Sequence, residues 1–200
     1  MERVLSGVYA WSVFNRDKGI AFNGHLVAND EGCVLIDPPS MTEEQIEKAE
    51  SLGPPIAIII TNCHHTRDAM TFAVRWRAPI LLPEMDARRI PDTVRLGGIY
   101  RDGERLAGGL RALRLPDQKS PGESALLLES ADAVIVGDAV IGKPAGRLSL
   151  LPADKYADPA AARRGLRRLL EHPFTAVLLG DGDSIPSGGR AVLEEFLSHD

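Results

Sequence analysis

Residues 58 to 69 combine an apolar run with side chains that can bind a metal ion or transfer a proton. Three isoleucines at positions 58 to 60 lead directly into Thr61-Asn62-Cys63-His64-His65-Thr66-Arg67-Asp68. A β-branched run that ends in a polar, histidine-bearing turn is typical of a buried strand followed by a loop. Loops in this position carry the chemistry of α/β proteins. The stretch therefore predicts a loop at the mouth of a site.

This stretch resembles the strand-and-loop signature of the metallo-β-lactamase superfamily, Thr-His-x-His-x-Asp-His, whose loop holds two metal ions. With Thr61 on the family threonine, only His64 coincides with a family ligand. The other ligand positions then hold Asn62, Thr66 and Arg67. A shift of one residue places His65 on the second histidine instead. The shifted alignment puts Cys63, Arg67 and Asp68 on the other ligand positions. Both alignments stay open, and neither completes the metal set.

Four further segments match the superfamily in the same order between residues 23 and 182. They are Asn23 to Val27 with Cys33 to Pro38, then Lys119-Ser120-Pro121-Gly122, then Ala133 to Asp138, and finally Val177 to Gly182. The resemblance places Lys119 and Asp181 at two histidine positions, whereas Asp138 matches the aspartate that bridges the metals. It assigns Asp37 to a structural turn. Taken together, the five segments indicate a divergent member of the superfamily.

The substitutions remove most of the chemistry that a dinuclear hydrolase needs. Such a site requires neutral imidazoles and carboxylates around two cations about 3.5–4 Å apart, so that a bridging water loses a proton. Asparagine is a poor zinc ligand, and a lysine of ordinary pKa is a cation that repels a metal. Lys119 therefore argues most strongly against an intact site, and no resident metal is favoured.

The same residues suggest a metal-free cluster. Two carboxylates, Asp138 and Asp181, repel each other in a low-dielectric pocket unless a positive charge lies between them. Lys119, with Arg67, can supply that charge. We expect a Lys119–Asp138–Asp181 ion-pair cluster with Asn62 and His65 hydrogen-bonded at its edge.

The remaining polar residues of these segments allow a functional and a structural interpretation. Glu123 is either a further pocket carboxylate or a solvated residue that opens a strand. One of His64 and His65 should point inward and the other outward. Asp68 is either a pocket residue or a first-turn residue of a helix.

Three functions remain open at this stage. The favoured one is a non-catalytic relative that binds a small anionic molecule or a partner through the old cleft. The alternative is a divergent mononuclear hydrolase of small esters, thioesters or lactones, with one divalent ion (zinc, manganese or iron). Its ligands would come from His64, His65, Asp68, Asp138 and Asp181. The third is metal-free acid–base catalysis by His65 with Asp138 or Glu123.

Bulk properties restrict the partners. The 200 residues suffice for one domain, which we assign to residues 1–200. The net charge of −5, with both signs interspersed, disfavours nucleic acid. The N-terminus has no signal-peptide core and no stretch reaches a membrane span. We therefore expect a cytoplasmic protein without membrane contact, and a homodimer on general grounds alone.

The pattern of apolar runs predicts an α/β (α+β) fold. Nine short runs bounded by Gly, Pro or Asp are predicted strands, at residues 8–14, 25–27, 33–36, 56–60, 80–82, 110–115, 125–128, 133–136 and 176–179. Helices are predicted after the capping box that begins at Thr42, near Asp68, from Asp158 to Glu171 and over 190–197. The resemblance implies that these elements form a four-layer αββα sandwich.

Overall fold

The computed structural model describes residues 1–198, which form eleven strands, four α-helices and several short 3₁₀ turns. The strands are β1 (Glu2–Leu5), β2 (Val8–Asn15), β3 (Ile20–Asn29), β4 (Gly32–Ile36), β5 (Pro55–Ile59), β6 (Ile80–Pro83), β7 (Gly98–Tyr100), β8 (Leu110–Arg114), β9 (Ser124–Leu128), β10 (Ala133–Val136) and β11 (Ala176–Leu179). The helices are α1 (Glu43–Ser51), α2 (Ala69–Trp76), α3 (Pro159–Gly165) and α4 (Gly189–Ser198).

The strands form two sheets. One sheet contains β1 to β7 in chain order, and the other has the order β11-β10-β9-β8. Strands β4 and β5 pair in parallel, and so do β10 and β11. Parallel neighbours bring their carboxyl ends to the same edge of a sheet. Each sheet therefore presents two strand ends, followed by loops, on which a site can be built.

Three hydrophobic clusters separate four layers, which are two facing sheets and a helical layer outside each sheet. The cluster between the sheets includes Val34, Ile59 and Ile135. The outer face of the larger sheet packs on α1 and α2, through residues such as Ile46 and Phe72. The outer face of the smaller sheet packs on α4 and on the 3₁₀ helix that follows α3. The buried residues of that cluster include Ala139, Leu166, Leu193 and Leu197. The expected αββα sandwich is confirmed.

The predicted helix starts agree with the local contacts. The Thr42 hydroxyl accepts a hydrogen bond from the Gln45 amide at 3.3 Å, and the Gln45 side chain accepts from the Thr42 amide at 3.0 Å. This reciprocal capping satisfies two amides that a helix start otherwise leaves unpaired. The α2 helix follows Asp68, although the Asp68 side chain makes no capping hydrogen bond.

Four elements differ from the sequence prediction. Strand β3 spans Ile20–Asn29, whereas the prediction covered only residues 25–27. The helix predicted from Asp158 to Glu171 is α-helical only to Gly165 and continues as a 3₁₀ helix over Leu166–Glu171. Gly165 lies against the Pro116 carbonyl oxygen, where a Cβ atom would approach to 2.4 Å. Strands β1 and β7 were not predicted. Both are edge strands of three or four residues with mostly exposed or half-buried side chains, so they lack an apolar run.

Among residues 1–198, no helix has the length and apolar character needed to cross a membrane. The cytoplasmic location and the homodimer stay predictions.

The two sheets are joined by the side chain of Asn23, which gives the first prediction. Its amide nitrogen donates to the carbonyl oxygens of Leu179 at 2.8 Å and Gly182 at 2.6 Å. Asn23→Ala leaves these carbonyls without that donor, and we expect the free energy of unfolding to fall by about 1–3 kcal/mol. Urea denaturation measures this. Asn29→Ala is the control, because Asn29 is exposed and only accepts from the amide of Glu31. Equal loss in both variants would contradict the cross-sheet role.

Candidate functional site

Four strand ends converge on one polar cluster. Asp37 follows β4, and the loop from Thr61 to Asp68 follows β5 in the larger sheet. Asp138 follows β10 and Asp181 follows β11 in the smaller sheet. The chain therefore places acidic groups from both sheets around the loop that carries His65.

His65 lies between two carboxylates. Its Nδ1 atom is 2.8 Å from Asp37 Oδ2, and its Nε2 atom is 3.3 Å from Asp138 Oδ1. Asp37 also accepts hydrogen bonds from the Thr61 amide at 2.8 Å and the Thr61 hydroxyl at 2.6 Å. Only the imidazolium form of His65 donates to both carboxylates at once. His65, which is 3% exposed, is thus held by both sheets.

Lys119 completes the contacts of Asp138. Its Nζ atom lies 2.6 Å from Asp138 Oδ2, so each oxygen of this carboxylate faces a different cationic group. The Lys119 side chain is 20% exposed and that of Asp138 is 5% exposed. The lysine therefore reaches inward from the cleft surface to a buried charge.

Arg67 connects the second aspartate to the same loop. One guanidinium nitrogen donates to Asp181 Oδ1 at 2.7 Å, and the group lies over the Phe22 ring, 4.9 Å from its centroid. The guanidinium also donates at 2.7–3.1 Å to the carbonyl oxygens of Asn23, Asp37 and Gly180. Arg67 has φ of 35°, a left-handed conformation that is uncommon for residues other than glycine. This conformation accompanies a guanidinium that bonds to segments of both sheets.

The electrostatic balance of the cluster follows from these contacts. Burial and the Arg67 charge would lower the pKa of His65, but Asp37 and Asp138 outweigh them and raise it to about 10. Burial would raise the pKa of Asp138, but His65 and Lys119 hold it well below its usual range. The pKa of Asp37 is also lowered: burial opposes the shift, and His65 is the main cause of it. Burial raises the pKa of Asp181.

Glu123 is buried near the cluster. One carboxyl oxygen accepts a hydrogen bond from the Ala139 amide at 3.2 Å, and the other has no partner among the described residues. Burial, with the negative charge of Asp138, raises the pKa of Glu123 well above its ordinary value. This shift favours the protonated form of Glu123. Of the two interpretations of this residue, the structure shows the buried one and not the solvated one.

The other expected pocket residues lie at the periphery. The Asn62 side chain accepts from the His64 amide at 2.8 Å and donates to the Thr61 hydroxyl at 3.4 Å, so its bonds are local rather than to the aspartates. His64 is exposed. Asp68 is half-buried at the start of α2. Of the adjacent histidines, His65 is the inward one.

Two buried aspartates were missed as parts of the site. Asp37 was expected only as a turn residue, and the turn itself is present, with φ of 46°. Asp86 accepts from the amides of Cys63 at 2.8 Å and Gly122 at 3.0 Å, and from the Ser120 hydroxyl. It therefore ties the histidine loop to the loop of Lys119. Asp86 lies three residues after the end of β6 at Pro83. In the sequence, only this position close to a strand end indicates a site residue, and the indication is weak.

Three of the groups could hold a metal ion. Donor atoms of His65, Asp138 and Asp181 all lie within 4.8 Å of one another. Each group is already bonded to a residue of opposite charge: Asp138 to Lys119, Asp181 to Arg67, and His65 to Asp37 and Asp138. His64 and Asp68 are not part of this group.

A cavity of about 390 Å³ opens beside the cluster. Asp138 and Asp181 form part of its wall together with the side chain of Lys119. Its size falls within the range of small-molecule sites. Both ring nitrogens of His65 are bonded to carboxylates, so neither is free to act as a general base toward this cavity.

Two facing sheets with outer helices and a histidine–carboxylate cluster at the strand ends define the class of αββα metallohydrolase-fold proteins. A sequence model described as the metallo-beta-lactamase superfamily matches residues 3–199. The chain belongs to this superfamily, and the resemblance noted in the sequence is confirmed. Members of this fold family usually bind divalent metals. No curated protein sequence matches.

Solved structures agree with the fold. The crystal structure of DIM-1 metallo-beta-lactamase aligns at a TM-score of 0.81 with 13% identity, over 98% of this chain and 94% of that one. A metallo-beta-lactamase from Pontibacter korlensis aligns at 0.80 with 18% identity, over 98% and 96%. The structure described as TTHA1623 in a di-iron-bound form aligns at 0.67 with 28% identity, over 90% and 95%. At 13% and 18% identity, the first two alignments show only that this chain shares their fold.

The position of His65 between carboxylates predicts how stability depends on pH. Its pKa in the folded protein, about 10, exceeds the ordinary 6.5, so its contribution is fully present below pH 6.5 and is lost as pH rises toward 10. We expect the free energy of unfolding to fall across this window by up to about 1.4 kcal/mol per pH unit. His65→Gln should show a shallower fall. Urea denaturation in the presence of a chelator measures both, and identical slopes would contradict this assignment.

Proposed function

We propose that this protein is a metal-independent member of the superfamily that binds a small anionic molecule in its cleft and does not run metal-dependent hydrolysis. The observation that carries the proposal is the Lys119 ammonium group 2.6 Å from Asp138. Asp138 matches the aspartate that bridges metals in the family. A protonated amine has no lone pair to offer a metal, and its charge repels one.

The charges of the cluster support this proposal because they balance without a metal. The carboxylates are Asp37, Asp138 and Asp181, and the cations facing them are His65, Lys119 and Arg67. A divalent ion added to a buried group of zero net charge would bring two uncompensated charges. To be bound, it would have to displace two cationic side chains and a proton of His65. The donor set therefore does not fit a resident divalent ion.

The network also connects the two sheets at the cleft without a metal ion. His65 belongs to the larger sheet and bonds across to Asp138 of the smaller one, and Arg67 bonds in the same way to Asp181. Ion pairs of this kind, removed from water and hydrogen-bonded on several sides, favour one arrangement of the groups they join. They support a cleft that keeps its shape without a ligand.

The cleft wall supports anion binding. Besides Lys119, the side chains of Lys18, Lys143 and Lys155 line the cavity, against the two carboxylates of Asp138 and Asp181. Both carboxylates already face cationic groups. An anionic ligand would therefore meet an excess of positive charge.

One observation favours a second function. The cluster of His65, Asp138 and Asp181 has the donor types and spacing of a single divalent site, and TTHA1623 has been solved in a di-iron-bound form. On this alternative, the protein is a mononuclear hydrolase of small esters, thioesters or lactones. It requires Lys119 and Arg67 to leave the two aspartates.

Metal content separates the two functions. Protein purified without a tag and equilibrated with zinc, manganese or iron should hold no stoichiometric ion by plasma mass spectrometry. Lys119→His, which removes the ammonium group and adds an imidazole, should raise the bound amount. Asp138→Ala serves as the variant without the shared carboxylate. One ion per wild-type chain that is lost in Asp138→Ala would overturn the proposal and support the hydrolase.

The ion pair itself is tested by Lys119→Met, which removes the ammonium group and keeps an unbranched side chain one atom shorter. Breaking a fully buried pair costs about 3–5 kcal/mol. Lys119 is partly exposed and Asp138 keeps His65, so we expect a loss of about 1–3 kcal/mol in urea denaturation. Lys155→Met is the control, because Lys155 pairs with an exposed Asp154 and should change little. Equal effects would show that Asp138 does not depend on Lys119.

A further inference from the structure

The composition of the cavity wall restricts its ligand. Four lysines line it, from four separate segments: Lys18 from the β2–β3 hairpin, Lys119 before β9, Lys143 after β10 and Lys155 from a 3₁₀ turn. Two carboxylates, those of Asp138 and Asp181, line it as well. Arg67, His65 and Lys119 already face these two carboxylates, and Lys155 pairs with Asp154. Lys18 and Lys143 remain as the two wall cations without a carboxylate partner among residues 1–198, so a ligand that neutralises them carries two negative charges.

The lysines beyond Lys119 retain charge for a ligand. The Lys18 ammonium lies over the Phe22 ring, 5.2 Å from its centroid, and pairs with no carboxylate among residues 1–198. Lys143 donates to the carbonyl oxygen of Gly19 at 3.0 Å, a contact that leaves its charge uncompensated. Lys155 pairs with Asp154 at 2.7 Å, but both side chains are about half or more exposed, and such pairs are weak.

The hydrogen bond from Lys143 to Gly19 also positions the β2–β3 hairpin. Because Lys143 donates to Gly19, it holds the backbone of the β2–β3 turn next to Lys18. Lys143 therefore lies beside the residue that follows Lys18, and both lysines line the cavity.

The rest of the wall is apolar. It is formed by Ile20, Ile141, Leu151 and Pro152. Ile141 and Leu151 are half-buried and Pro152 is exposed, so a ligand can cover apolar surface that now faces the cavity. Covering such surface favours binding in proportion to the apolar area removed from water. The wall therefore fits a ligand with an apolar body as well as a charged end.

We infer that the cavity binds a small amphiphilic dianion, such as a phosphate monoester with a short apolar chain. Its dianionic group contacts Lys18 and Lys143, and its apolar body covers Ile141 and Leu151. The inference rests on the proposed function in one respect: the cleft must bind without a metal. It goes beyond it by naming the chemistry of the ligand and the residues that select it.

Isothermal titration calorimetry with four probes tests the inference. The probes are hexyl phosphate, hexanoate, hexanol and inorganic phosphate, titrated near pH 8, where a phosphate monoester carries nearly two charges. Hexyl phosphate should bind most tightly, about tenfold or more over hexanoate, and hexanol should not bind measurably. Its affinity should fall as salt is added, because screening weakens exposed charge contacts. Equal affinity for hexyl phosphate and hexanoate overturns the dianion assignment.

Paired variants separate the charged and apolar parts. Lys18→Met should weaken hexyl phosphate and inorganic phosphate alike, by about fivefold. Leu151→Ala should weaken hexyl phosphate by about threefold to tenfold and leave inorganic phosphate unchanged. Lys48→Met is the matched control, because Lys48 lies on α1, over the Tyr9 ring, outside the cavity. A loss in Lys48→Met equal to that in Lys18→Met overturns the assignment of the site.

Titrations with chelator-treated protein and with zinc-equilibrated protein distinguish the two proposals. Hexyl phosphate binding that requires zinc overturns the metal-independent function. A protein that holds no zinc and binds none of the probes leaves the metal-free cluster standing and overturns the ligand assignment alone. Binding to chelator-treated protein that depends on Lys18 and Leu151 supports both.

Discussion

The chain of contacts from Asp37 through His65 to Asp138 and Lys119 is the interaction on which the arrangement of the cleft depends. A buried carboxylate without a counter-charge is costly, and two of them facing one cleft are more so. Here each negative group meets a positive one, and the chain crosses from one sheet to the other. Asp138 and His65 each face two charged partners, so the loss of one member changes the charge balance around the next, and the cluster acts as a unit.

The backbone around the cluster is organised to hold it. Two pairs of parallel strands end at one edge of the sandwich and deliver Asp37, His65, Asp138 and Asp181 from both sheets. Asp86 joins the loops beneath, and Arg67 reaches across to the smaller sheet with several hydrogen bonds. Arginine suits this position because its planar group donates in several fixed directions and keeps its charge when buried. These contacts form the base of the cleft, and lysines line its wall.

Fold and chemistry are separable in this protein. The superfamily match covers nearly the whole chain, and the sandwich aligns well with metallo-beta-lactamases. The large core between and outside the sheets does not involve the cluster, so the fold tolerates changes at the strand ends. Lys119, which the resemblance places at a histidine position, lies outside all three core clusters.

The sequence by itself determined the architecture and most of the site's members. Apolar runs and capping residues were sufficient for nine strands and for the starts of all four helices, because these signals are local. Lys119, Asp138 and Asp181 were recognised because their segments resemble motifs of the superfamily that occur in the same order. The tertiary structure alone decided which groups meet. It turned His65 inward and His64 outward, bonded Asp181 to Arg67 rather than to Lys119, and made Asp37 and Asp86 part of the site. Such pairings depend on the register of the strands and the course of the loops, and residues distant in sequence carry no local signal of them.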